Sequence, residues 1–162
     1  MNESSTLLEV RDLKVHFTLK RPGLFGQAAK VYAVDGVSFN VKRGHAYGIV
    51  GESGCGKSTT ALALARLIGA TSGDILLDGQ SLTSLSGESL KEARKGLQMI
   101  FQDPYSSLDP RQRVEAIIAK PLRQLTRMTQ AEIARRVDEL MAKVGLRAEQ
   151  KKLFPHQFSG GQ

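Results

Sequence analysis

From Leu7 to Leu19 the chain alternates apolar and polar residues, with Leu13, Val15 and Phe17 on one side, the pattern of one or two strands with one buried face. Lys20-Arg21-Pro22-Gly23-Leu24-Phe25-Gly26 is turn-forming at both ends and predicts a loop or long hairpin connection. Alternation resumes from Val31 to Val41, where Val37, Phe39 and Val41 share a face. Lys42-Arg43-Gly44 is a turn, and Ala46 to Val50 reads as a short apolar strand running into glycines. At Lys57 the period changes: Ala61, Leu64, Ala65 and Ile68 fall at i, i+3, i+4 and i+7, one face of a helix. Gly69 stands where a helix-ending glycine is expected.

Further along, Gly73 to Gly79 predicts a short strand between turns, and Leu97 to Phe101 another. Val114, Ile117, Ile118, Leu122 and Leu125 form a helical stripe that Pro121 is expected to kink or restart. Thr129 with Glu132 is a capping box opening a helix with the stripe Ile133, Val137, Leu140, Met141 and Val144, closed by Gly145. The order is β-rich, then strand, glycine loop and helix, then mostly helical.

Composition narrows the class. The 162 residues allow one domain, or one and a piece of another, at an ordinary 41% hydrophobic and 24% charged content. No apolar run approaches the roughly 18–20 residues of a membrane span, and Met1 to Val10 lacks the pattern of a secretory signal. One cysteine excludes an internal disulfide framework and fits a reducing compartment. The net charge of +7 concentrates in scattered basic residues between Arg111 and Lys152. Without interleaved aromatics this is a solvated basic face, and no nucleic-acid partner is expected.

The chemistry is concentrated in Gly51-Glu52-Ser53-Gly54-Cys55-Gly56-Lys57-Ser58, two glycines five apart followed by Lys and Ser. Backbone N–H groups can wrap a phosphate closely only where glycines remove the Cβ. The helix that follows directs its positive end at the same anion. In such a loop Lys57 reaches the β- and γ-phosphates and the Ser58 hydroxyl ligates Mg²⁺. Cys55 has no second cysteine to share a metal with and reads as a small loop residue.

Three further segments narrow the choice among phosphate-loop proteins: the β-rich start with Phe17, Phe101-Gln102-Asp103-Pro104, and Phe158-Ser159-Gly160-Gly161-Gln162. In this order they resemble the ATPase subunits of ABC transporters, over essentially the whole chain. Gly51 to Thr59, Phe101 to Arg111 and Pro155 to Gln162 are most similar to the dipeptide, oligopeptide and nickel importer branch. The inserted Arg21-to-Lys30 loop resembles the second of the two ATPases such importers carry. The resemblance implies an α/β P-loop NTPase core with an N-terminal antiparallel β subdomain and a helical subdomain, incomplete at the C-terminus. Residues 1–100 would hold the β subdomain and phosphate loop, and 101–162 the Q-loop and helical subdomain up to the signature motif.

Roles follow by the same resemblance. ATP and Mg²⁺ are the expected cofactors. Phe17 matches the aromatic that stacks on adenine, with Tyr32 as the alternative. Gly51, Glu52, Ser53, Gly54, Cys55, Gly56, Lys57, Ser58 and Thr59 hold the phosphates. Gln102 matches the Q-loop glutamine that touches Mg²⁺ and the attacking water, so Ser58 and Gln102 are the metal contacts. Ser159, Gly160, Gly161 and Gln162 match the signature, which contacts ATP held by the opposite subunit; Phe158 stands where leucine is commoner. His156 precedes the signature and cannot be the family's switch histidine. Implied partners are a second ATPase in a head-to-tail dimer, transmembrane permease subunits and, indirectly, an extracytoplasmic binding protein. The implied location is peripheral, on the cytoplasmic side of the cell membrane.

The family's hydrolytic strand, apolar and ending in Asp-Glu, does not occur in the sequence, because neither Asp74 nor Asp78 is followed by Glu. The full-length family member is expected to be an ATPase, and this chain alone to be inactive and poorly folded. Two other readings are a soluble ABC ATPase without a membrane partner and a remnant that binds nucleotide without hydrolysing it. Peptide, nickel and glutathione all remain open as cargo.

Overall fold

The computed structural model describes residues 5–19, 29–103 and 107–159. They fall into two compact units, 1–98 and 99–162.

The first unit is built on β1 (Thr6–Thr18) and β2 (Lys30–Lys42), a long antiparallel pair. Next come α1 (Lys57–Leu64), β3 (Ser72–Leu77), β4 (Gln80–Ser81) and α2 (Gly87–Ala93). The sheet order is β2-β1-β3-β4, antiparallel throughout. The alternation from Leu7 to Leu19 thus becomes one strand rather than two, and Val41, Phe39 and Val37 pair with Leu8, Val10 and Leu13 across one face.

That face changes parity along β1. Even-numbered Leu8 and Val10 point inward first, then odd-numbered Leu13 and Val15. The switch requires one surplus residue, and the register slips by one between Val10 and Leu13 against β2 and between Arg11 and Lys14 against β3. Asp12, at φ 44, is the bulged residue. Gly73 faces it with φ 88, and a Cβ there would overlap the Asp12 carbonyl and stand 2.6 Å from that of Arg11. The bulge and this glycine are therefore one device. Val10, Leu13, Val15, Val34, Ile75 and Leu82 form the buried core with Ala63 of α1, each larger side chain contributing about 1.5–3 kcal/mol.

Asp74 fastens the β3–β4 corner. Its Oδ1 accepts the Ile75 amide at 2.8 Å, the Ser81 hydroxyl at 2.7 Å and the Thr83 hydroxyl. Burial works against its charge, and these bonds outweigh that, leaving its pKa below the ordinary carboxylate value. Asp78 pairs with Arg43 at 2.7 Å. Both aspartates are engaged by the fold.

Three local expectations are corrected. Ala46 to Val50 and Leu97 to Phe101 are not strands, and Val50 and Ile100 stand 90% and 96% exposed. A strand exists only where a neighbour completes its ladder, and no described segment lies beside either one as a partner. The first helix ends at Leu64 rather than near Gly69, because Arg66 turns left-handed at φ 55. Its guanidinium then donates to the Leu82, Thr83 and Leu85 carbonyls. Helix α2, with Ser86 as its N-cap, is too short to leave a periodic signature.

The second unit packs α3 (Val114–Leu125) against α4 (Gln130–Lys143) through Ala119, Ile133, Val137 and Met141. Pro121 lies inside α3 without ending it. The α4 capping box forms as its spacing predicts: Thr129 Oγ1 accepts the Glu132 amide at 3.4 Å, and Glu132 Oε2 accepts the Thr129 amide at 2.7 Å. That amide bond above all, then the Thr129 hydroxyl, holds the Glu132 carboxyl below its ordinary pKa.

A depressed carboxyl stabilises the fold above its unfolded value, near 4.5, and that stabilisation is lost as pH falls through the folded value. Thr129→Ala is therefore expected to cost about 1 kcal/mol and Glu132→Gln to remove part of the acid sensitivity. Thermal unfolding followed by circular dichroism at neutral pH and below 4.5 checks both, and parallel pH curves for parent and Glu132→Gln would refute the second.

Candidate nucleotide-binding site

The segment from Gly51 to Thr59 closes into a loop whose backbone only glycine adopts without strain at three points. Gly54 has φ 84 and Gly56 has φ 93, both left-handed, and Gly51 has φ 156. A Cβ on Gly51 would lie 2.7 Å from the Cys55 sulfur. A Cβ on Gly56 would overlap the Ala33 carbonyl oxygen of β2 and touch Val34 Cγ2 at 3.5 Å. Gly56 is thus where the loop lies directly on the sheet. Gly54 has open space around it, the condition for another molecule to approach its backbone.

Gly56 is also the N-cap of α1, and no side chain caps that terminus. The first-turn N–H groups of Lys57, Ser58 and Thr59 have no partner in the preceding turn. No acidic residue sits in that turn to take up its positive potential. Thr60, buried, donates its hydroxyl to the Gly56 carbonyl at 3.0 Å and ties the loop to the helix. Lys57 folds back over the loop, donating from Nζ to the Gly51 and Glu52 carbonyls at 2.8 and 2.7 Å. Its third N–H is directed at the Cys55 sulfur, a weak acceptor that a phosphate oxygen would displace. That sulfur lies 3.6 Å from Nζ and is exposed. Uncapped amides, a held cation and an open glycine form an anion cradle, and they fit the triphosphate of MgATP.

Above the loop the sheet sorts the two aromatic candidates. Phe17 pairs with Val31, two residues beyond the Val15–Val34 pair, so it shares the inner face on which the loop and α1 pack. Two residues of strand span about 7 Å. Phe17 is half exposed there. Tyr32 pairs with His16 and makes an edge contact with its ring at 4.5 Å between centroids. His16 in turn meets Asp35 at 3.0 Å. Alternation puts that cluster on the outer face, which distinguishes Phe17 from its alternative.

Beside the loop, an open cavity of about 380 Å³ is lined by Val37, Phe39, Tyr47, Ile49, Cys55 and Lys57, among others. Phe39 and Tyr47 stack there at 4.7 Å with their planes 7° apart. The periodicity marked Phe39 as a strand residue; the stack with Tyr47 had no sequence signal, because its second ring comes from the segment read as a strand.

Gln102 and Ser159 lie in the second unit on exposed, irregular backbone. Gly160, Gly161 and Gln162 lie outside the described residues, as does Tyr105 with its flanking residues. Asp109, on the segment after Gln102, accepts the Arg111 amide at 3.0 Å and the Gln112 side chain at 2.9 Å. The Arg111 amide foremost lowers its pKa. No helix among the described residues is long and apolar enough to cross a membrane.

Known proteins resemble this chain. The oligopeptide transport ATP-binding protein AppF of Bacillus subtilis is 48% identical over 159 residues, 97% of this chain and 48% of its own length. The di/tripeptide transport ATP-binding protein DppF of Pseudomonas aeruginosa is 43% identical over 157 residues, 97% of this chain and 48% of its own. A glutathione import ATP-binding protein, GsiA of Salmonella paratyphi A, is 46% identical over 162 residues, 99% of this chain and 26% of its own. The chain thus spans about half the length of the first two and a quarter of the third. Among solved structures, the dimeric structure of a post-hydrolysis state of an ATP-binding cassette bound to ADP and phosphate superposes with a TM-score of 0.78. It is 24% identical, over 96% of this chain and 65% of its own, and speaks for the fold. The family model described as ABC transporter matches residues 34–162, from the strand that supports the phosphate loop to the last residue, and on that match the chain belongs to the ABC transporter family.

Proposed function

We propose that this chain is the phosphate-loop and helical part of the ATP-binding subunit of a peptide importer. The observation that carries the reading is the loop itself. Lys57 is anchored on two loop carbonyls, beside an uncapped helix start and an open Gly54. The ammonium of Lys57 and the amides of residues 54–59 would hold the phosphates, and the Ser58 hydroxyl would ligate Mg²⁺. When bound, the metal supplies charge neutralisation across the β- and γ-phosphates. Phe17 would stack on the adenine from the same face of the sheet.

The peptide assignment is supported by the transport names of AppF and DppF and by the likeness of Phe101 to Arg111 to that branch. Gln102 would contact Mg²⁺ and the attacking water. Ser159 to Gln162 would complete the nucleotide site of a second cassette in a head-to-tail dimer. Permease subunits, an extracytoplasmic binding protein and a peripheral place on the cytoplasmic face belong to the same proposal. Because no apolar strand ending in Asp-Glu occurs in the sequence, the 162-residue chain should bind MgATP without turning it over.

Titration of the chain with a fluorescent ATP analogue, displaced by unlabelled MgATP, tests this. Phe17→Ala should weaken binding about tenfold, the worth of one base stacked on an aromatic face, while Tyr32→Ala leaves it unchanged. Equal losses at the two positions would refute the stacking assignment. Saturable, Mg²⁺-dependent phosphate release by the 162-residue chain would refute the inactivity.

A further inference from the structure

The inner face of the sheet holds a second side chain beside Phe17. Val31 of β2 lies directly across the ladder from it, and residues paired in this way point to the same side. The face changes character at this pair. Val15 and Val34, the pair before it, are buried, whereas Phe17 and Val31 are 43% and 44% exposed. The fold thus leaves two apolar side chains half open, side by side, on the face where the phosphate loop and α1 pack. Leu19, the next residue on that face, is exposed as well. It lies two residues further along, about 7 Å away, whereas partners across a ladder stand about 4.5–5.5 Å apart. Val31 is therefore the side chain near enough to share one flat ligand with the Phe17 ring.

We propose that Val31 is a specificity-determining residue of the nucleotide site, one that favours purines over pyrimidines. With Phe17 it makes a platform two side chains wide, which the two fused rings of a purine cover and the single ring of a pyrimidine does not. The inference rests on the base stacking on Phe17. An aromatic ring is flatter and larger than an isopropyl group, so a single-ring base settles on Phe17 and leaves Val31 uncovered. The second ring of a purine adds contact with the Val31 methyls. That contact is apolar burial and dispersion without a hydrogen bond, so it senses how much base lies over it and not the groups on the base edge. Adenine and guanine should gain from it alike.

Isothermal titration of the whole chain with MgATP, MgGTP, MgCTP and magnesium tripolyphosphate, which carries no base, tests the inference. The parent should bind ATP and GTP more tightly than CTP. Val31→Ala should weaken ATP and GTP by about threefold each, the worth of part-covered methyl groups, and leave CTP and tripolyphosphate unchanged. Val31→Ile, which keeps the platform, should retain the purine preference. Leu19→Ala removes as much exposed apolar surface nearby and should not move the ratio of ATP to CTP affinity. Circular dichroism serves as the folding control. Equal losses of ATP and CTP in Val31→Ala would overturn the proposal, as would a parent without purine preference or a Leu19→Ala variant that lowers the ratio as far. Phe17→Ala separates the two levels of the argument. If it spares all three nucleotides, the stacking reading fails; if it weakens them while Val31→Ala leaves the ratio unmoved, the role of Val31 alone fails.

Discussion

Lys57→Ala is expected to weaken MgATP binding by about tenfold to a hundredfold, since the charge-assisted bond its third N–H could make with a phosphate oxygen disappears. The structure shows why no neighbour substitutes. Lys57 Nζ is fixed by the Gly51 and Glu52 carbonyls, so its ammonium is already in place before any ligand arrives. Little side-chain entropy is then left to lose on binding. Among the described residues no other cation lines the adjoining cavity. Lys57→Arg should also bind poorly, because a planar fork cannot occupy the point between two carbonyls that an ammonium fills. Displacement titration with the parent chain as reference measures both, with circular dichroism confirming retained structure. An alanine variant whose affinity stays within a factor of about two of the parent would remove the basis of the nucleotide assignment.

The second large effect concerns stability. Gly56→Ala should destabilise the first unit by about 3 kcal/mol or more, and Gly54→Ala by only about 1 kcal/mol. Both glycines have left-handed backbones of nearly equal φ, 93 and 84. Their surroundings differ. A methyl on Gly56 would overlap the Ala33 carbonyl of β2, a backbone atom that cannot swing aside, whereas one on Gly54 meets nothing within 4 Å. Gly56→Ala therefore pries the loop off the sheet, while Gly54→Ala adds only local strain. Denaturant unfolding of the two variants gives the comparison. Similar midpoints would mean that the contact with Ala33 carries no weight. On the proposed nucleotide reading, Gly54→Ala should also weaken MgATP binding, because its methyl would stand where a phosphate approaches the backbone.

How much of this was visible beforehand depends on how local each signal is. The phosphate loop was legible because its chemistry fixes residue types at fixed offsets within eight positions. The α4 capping box, a four-residue pattern, was equally plain. The shared face of Val37, Phe39 and Val41 could be read from alternation, and it pairs as alternation requires. The failures are of another kind. Ala46 to Val50 and Leu97 to Phe101 have strand composition, but a strand is a relation between segments, and composition cannot say whether a partner lies alongside. The premature end of α1 at Leu64 depends on Arg66 finding three carbonyls 16 to 19 residues away, which no local window contains. Phe17 stood ahead of Tyr32 by resemblance alone, with no geometric reason for the order. The extra residues in the β1–β2 register, at Asp12 and near Ala33, separated them by face.

The surplus residue at Asp12 sets a counting rule for the whole N-terminal strand. Every position after it owes its side of the sheet to whether the number of residues before it is odd or even. Removing one residue between Val10 and Leu13 would erase the bulge and restore plain alternation, with Leu13, Val15 and Phe17 still on the face of Val10. Removing both would set Leu13 directly after Val10, turn Leu13 and Val15 to solvent and carry Phe17 to the side away from the phosphate loop. Loss of the one surplus residue should therefore be tolerated and loss of two rejected, a constraint that acts on the gene through arithmetic rather than through the identity of any amino acid.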